Sequence, residues 1–122
     1  MTGFVSYQLS ITLSRPVRVE IGRLGVFDFP PGRYIYTGSA IRNLGARIAR
    51  HLRREKRLRW HIDYLLAVPE AAVTGVERFA QAECELNCNT TGEVVVAGFG
   101  ASDCRAGCGS HLKYIEARCE LG

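Results

Sequence analysis

The sequence predicts one α+β domain over residues 1–122: a small, mostly antiparallel sheet with an extra hairpin, flanked by about three helices. Three observations carry that expectation. "FVSYQLSITL" alternates apolar and polar side chains at the period of a strand. After Gly38-Ser39 the apolar period changes from two to that of a helix. Short β-rich and short helical segments then follow in the order β, β-hairpin, β, α, α, β, α, β.

The first strand covers 4–13, where Tyr, Ile and Thr suit a pleated, half-buried surface. "VRVEIGRLGVFDF" gives two short strands around Gly22 and Gly25, an inserted hairpin, and "PPG" at 30–32 is a turn. "RYIYTG" is the next strand. Ile41, Leu44, Ile48 and Leu52 fall at i, i+3, i+7 and i+11, an amphipathic helix through about residue 54. On that helix Arg47, His51 and Arg54 share an arc beside the apolar stripe, while Arg50, Arg53 and Arg57 point further into solvent. "LRWHIDYLLA" at 58–67 suits a second helix, stopped before Pro69. "AAVTGVERFA" reads as a strand, "AECELNC" as a short helix and "EVVVAGFG" as a further strand. "SDCRAGCGS" is a loop, and "HLKYIEA" a last strand or helix.

Hydrophobic content of 47% with 23% charged residues is ordinary for a globular chain and excludes a disordered one. No run of about 18 apolar residues suggests a membrane span. The N-terminus lacks the basic start and small-residue cleavage site of a secretion signal, so a cytoplasmic address is expected. The charge is unevenly spread. Residues 42–59 hold a dense series of Arg and Lys against the single acid Glu55, whereas 77–93 hold Glu77, Glu83, Glu85 and Glu93 against Arg78. A basic face beside an acidic segment suits a polyanion-binding surface with a carboxylate metal site; a solvated basic helix is the plainer alternative.

Tyr36-Thr37-Gly38-Ser39, followed by Asn43-Leu44, Arg47 and His51, resembles the "YIG-S-x-x-NL-x-x-R-x-x-x-H" segment of the GIY-YIG endonuclease superfamily. "YIYTGSA", "RWHIDYLL", "ECELN" and "GFGASDC…HL" together look most like its small branch found alone or beside endonuclease III in archaea and bacteria. The resemblance implies a GIY-YIG-like fold and hydrolysis of DNA phosphodiester bonds in repair or processing, with a partner repair enzyme in prospect. It also implies roles by position. Tyr7 is similar to the tyrosine of the first motif and Tyr36 to that of the second. Arg47 matches the arginine on the scissile phosphate, His51 a position held by His or Tyr, and Glu83 the glutamate that holds one divalent metal. Val5 stands where the first motif has its glycine, and the extra hairpin fills the interval between Tyr7 and Tyr36.

The chemistry agrees with those residue types. Glu83 is a hard oxygen ligand suited to Mg²⁺ or Mn²⁺, and Mg²⁺ takes only one or two carboxylates. Arg47 offers a planar fork to phosphate oxygens. Tyr7 serves as general base if its neighbours depress its pKa, with Tyr36 ordering the water. Each has a structural alternative: half-buried packing tyrosines, and an arginine that caps a carboxylate such as Glu83. Glu85 points to a different helical face from Glu83. Ser39, Arg42, Arg50, Arg54, Arg57 and His61 are the expected DNA contacts, although a satisfied structural role is favoured for His61. The runner-up function is a nucleic-acid-binding module of this fold with weak or no catalysis.

The five cysteines, 84, 88, 104, 108 and 119, all lie in the last third. Cys84 and Cys88 with Cys104, Cys108 and His111 offer the donors of a tetrahedral zinc site. The usual C-x2-C knuckle is missing, so buried thiols or a single disulfide are favoured over zinc.

Overall fold

A computed structural model describes residues 4–40, 43–53, 58, 60–100 and 110–116. Arg42, Arg54, Arg57, Cys104 and Cys108 lie outside them. Strand β1 (Ser6–Leu13) and strand β4 (Gly32–Ser39) form the centre of a five-stranded sheet, with β5 (Ala71–Phe79) beyond β1 and β7 (Leu112–Glu116) beyond β4. The short β6 (Glu93–Val94) closes the far edge, and every neighbouring pair is antiparallel. Strands β2 (Val17–Ile21) and β3 (Gly25–Phe29) pair with each other as the expected hairpin, a second, two-stranded sheet. Three helices accompany the strands: α1 (Leu44–Leu52), α2 (His61–Leu66) and α3 (Glu83–Cys88). The architecture is α+β, as the alternation of periods predicts.

The strand period places the core. In β1, Tyr7, Leu9, Ile11 and Leu13 are buried, and the register sets them opposite Gly38, Tyr36, Tyr34 and Gly32 of β4. Those side chains share one face because successive residues alternate across the sheet. Ile48 of α1 and Ile62, Leu65 and Leu66 of α2 are buried in the same core, as are Val19, Ile21 and Phe29 of the hairpin. Each fully buried Leu or Ile contributes roughly 1.5–3 kcal/mol of transfer free energy. Among the described residues no helix is long and apolar enough to cross a membrane.

Two expectations change. "EVVVAGFG" is a strand only at Glu93–Val94; the chain then turns, with Gly98 and Gly100 at φ 82° and 67°. The turn tucks Phe99 into the core, edge-on to Phe29 and Tyr36, so tertiary packing overrides the β propensity of the valines. On α1 the apolar stripe ends early. Leu52 is 52% exposed, and His51 takes the buried place in the last turn. Asn43 starts this helix in the left-handed region, φ 57°, which asparagine tolerates, with no side-chain cap bond.

Candidate active site

The site gathers where β1 and β4 meet α1 and α3. Tyr7 lies opposite Gly38 in the antiparallel register. A Cβ on Gly38 would overlap the hydroxyl end of the Tyr7 ring, so this glycine is needed for close approach rather than for its backbone angle. The Tyr7 hydroxyl reaches His51 Nε2 at 2.6 Å, and both side chains are buried. The Tyr7 and His51 rings lie 5.4 Å apart, and Tyr36 adds its ring at 6.5 Å from Tyr7 and 6.0 Å from His51.

Burial pushes the Tyr7 hydroxyl well above the usual phenol range; the Arg47 charge pulls it back and Glu83 pushes it up again. Tyr36 is raised too, chiefly by burial and then by Tyr7 and Glu83. This corrects the expectation that neighbours depress the Tyr7 pKa, because removal from water outweighs one nearby cation. Tyr7 is therefore a protonated phenol, and its hydroxyl shares with His51 Nε2 a hydrogen bond whose direction follows the imidazole tautomer.

Arg47, one turn before His51, donates from one guanidinium nitrogen to the Ser39 carbonyl at 2.6 Å and lies 4.6 Å from the centre of the Trp60 ring. Among the described residues it makes no ion pair with a carboxylate, Glu83 included. Arg50 differs. It forms a two-pronged pair with the buried Asp63, 2.9 and 3.0 Å, so its expected solvent-facing position is corrected. Arg50 also lies over the same indole, 4.3 Å from its centre, and within reach of Asp63 on α2.

Glu83 completes the cluster from α3. Ser39 donates its hydroxyl to Oε1 at 2.5 Å, and His111 Nδ1 sits 2.6 Å from Oε2. The Glu83 side chain remains 27% exposed, whereas Glu85 is exposed on another face of α3. Burial raises the Glu83 carboxyl, but the hydrogen bonds from His111 and Ser39 and the charges of His111 and Arg47 outweigh it and hold it below its ordinary value of 4.5. A depressed carboxyl stabilises the fold fully above its unfolded value and loses that contribution as pH falls through the lower, folded value. Denaturant unfolding across that acid range should therefore show a steeper loss of stability for wild type than for Glu83→Gln. Parallel acid limbs would contradict this role.

The structure brings Tyr7, Tyr36, Arg47, His51 and Glu83 together, and Ser39 supports two of them. His61 is elsewhere. Its Nδ1 accepts the Gly100 amide at 2.8 Å and its pKa is lowered by burial, which makes it an anchor for the 97–100 turn. Sequence reasoning missed His111 as the partner of Glu83, and missed Asp63 and Trp60 altogether as neighbours of the arginines. The Trp60-x2-Asp63 spacing at a helix start was the available signal, since the Trp60 amide donates to Asp63 Oδ2 at 2.8 Å.

Glu83 is the one carboxylate of the cluster; its Oε1 accepts from Ser39 and its Oε2 faces His111, so a hard cation would have to use its remaining lone pairs and keep several waters. Among the described residues no three His, Cys, Asp or Glu side chains gather into a cage. Of the zinc candidates, Cys84 is half-buried, Cys88 is exposed and His111 is engaged with Glu83.

No curated protein and no solved structure matches this chain. A family model spans residues 6–121, which include every residue of the cluster. The chain thus belongs to the family described as domain of unknown function DUF123.

Proposed function

We propose that this domain is a GIY-YIG-type endonuclease that hydrolyses DNA phosphodiester bonds with a divalent metal. One observation carries the reading: a half-buried arginine with no carboxylate partner among the described residues stands between a buried Tyr–His pair and an ionised glutamate. A guanidinium without an ion-paired carboxylate among the described residues, beside groups suited to proton transfer, is arranged for an anionic substrate that reacts there.

The chain's own groups divide the work. Arg47 binds a non-bridging phosphate oxygen through the edge not taken by Ser39. The Tyr7 oxygen accepts a proton from the attacking water as its own proton passes to His51 Nε2. The water oxygen bonds to phosphorus, the bond to the leaving oxygen breaks, and that oxygen takes a proton from solvent. The relay answers the raised Tyr7 pKa, since His51, not a phenolate, is the final base. Ser39 and His111 hold the Glu83 carboxylate ionised and oriented. Glu83 would hold Mg²⁺ or Mn²⁺, which supplies positive charge for the leaving oxygen.

The second reading, a DNA-binding module without catalysis, draws on the depth of Tyr7, which is 1% exposed. Labelled duplex, branched and single-stranded DNA incubated with Mg²⁺ or Mn²⁺ separates the two. Cleavage by wild type and none by Glu83→Ala supports the nuclease. Binding without cutting, weakened by Arg47→Ala with a smaller salt slope, supports the module. Equal cutting by both proteins contradicts the proposed site.

A further inference from the structure

We infer that Trp60 is the positioning residue for Arg47: its indole, braced by the Arg50–Asp63 pair, holds the Arg47 guanidinium aimed at a substrate phosphate. This rests on Arg47 being the phosphate contact. Trp60, the chain's only tryptophan, touches three residues of α1, with Arg47 and Arg50 against its ring and His51 at 5.6 Å. Its amide is held by Asp63, which is fully buried and also takes both prongs of Arg50. So the Trp60 backbone is fixed at the start of α2, and its ring lies against Arg47, Arg50 and His51.

Three contacts then hold Arg47, one of them a hydrogen bond to Tyr7. The Ser39 carbonyl takes one guanidinium nitrogen, and the indole takes a face. An arginine samples many rotamers when exposed, and holding it by these contacts leaves its remaining edge presented in a single orientation. The two guanidiniums on this ring are not equivalent. Asp63 pairs with Arg50, so on this indole Arg47 is the guanidinium without an ion-paired carboxylate among the described residues, and an arriving phosphate meets it there. Because Ser39 also donates to Glu83, the anchored arginine and the carboxylate share one support.

Anisotropy of a fluorescein-labelled oligonucleotide with the full chain in EDTA tests this without hydrolysis. Trp60→Phe, which keeps an aromatic face, should bind within about threefold of wild type, and Trp60→Leu about tenfold more weakly. The double variant Trp60→Leu/Arg47→Ala should bind no more weakly than Arg47→Ala alone, because both changes remove one coupled interaction. In wild type, Trp60 emission should change saturably at the same oligonucleotide concentrations, and in Arg47→Ala it should not; this second measurement stands even if Trp60→Leu fails to fold. Wild-type binding of Trp60→Leu, additive losses in the double variant, an unresponsive Trp60 or no binding at all would overturn the inference. Absence of cleavage would sink the nuclease reading and leave this one intact.

Discussion

Asp63→Ala is expected to destabilise the protein by about 3–5 kcal/mol, because it leaves the Arg50 guanidinium buried without its counter-charge. The pair is well placed for that effect. Asp63 is fully buried, Arg50 is 18% exposed, and both carboxylate oxygens accept from the same guanidinium. The loss also takes the acceptor for the Trp60 amide, which starts α2. Urea unfolding gives the number directly. Replacing both partners, as Arg50→Met with Asp63→Leu, should recover most of it, because no uncompensated charge remains. If Asp63→Ala costs less than about 1 kcal/mol, the pair behaves as a solvated surface bridge and its bracing role fails.

The second large effect is on rate. His51→Gln should slow cleavage by about 10²–10⁴-fold while DNA affinity stays within a few fold. Glutamine can still accept the Tyr7 hydroxyl through its amide oxygen, so the buried phenol keeps a hydrogen bond and the fold is retained. It cannot take up a proton. A loss of rate with retained affinity therefore isolates proton acceptance from structural support. Unchanged cleavage would mean that the Tyr7–His51 contact is packing, as buried tyrosines commonly are.

The sequence shows the elements more readily than it shows their partners. The alternation in β1 predicts the buried set Tyr7, Leu9, Ile11 and Leu13, because a strand's period is local and needs no knowledge of the fold. Helix spacing likewise separates Glu83 from Glu85. What local period cannot give is which side chains meet across long intervals. His111 lies against Glu83 only because β7 runs beside β4, and Ser39 supports both Glu83 and Arg47 only because β4 ends where α1 and α3 converge. Arg50 illustrates the limit. Its angle on α1 suggests solvent, yet a buried aspartate on another helix claims it. The valines of "EVVVAGFG" suggest a strand, but the demand of Phe99 for the core ends it after Val94.

The proposed catalytic role and the geometry bear on each other at Tyr7. By residue type it is a base only if its pKa is depressed, and burial does the opposite. A phenol that hands its proton to His51 Nε2 removes that conflict within the same cluster.

Single-turnover cleavage of one labelled DNA substrate with Mg²⁺ decides whether this cluster cuts DNA as proposed. Wild type, Glu83→Ala, His51→Gln and the exposed-strand control Arg78→Ala would be compared at saturating protein. Wild type and Arg78→Ala should cut at similar rates, with both site variants slower by at least about 10²-fold. Equal rates in all four proteins, or no cutting by wild type on DNA that it binds, would contradict the proposed activity.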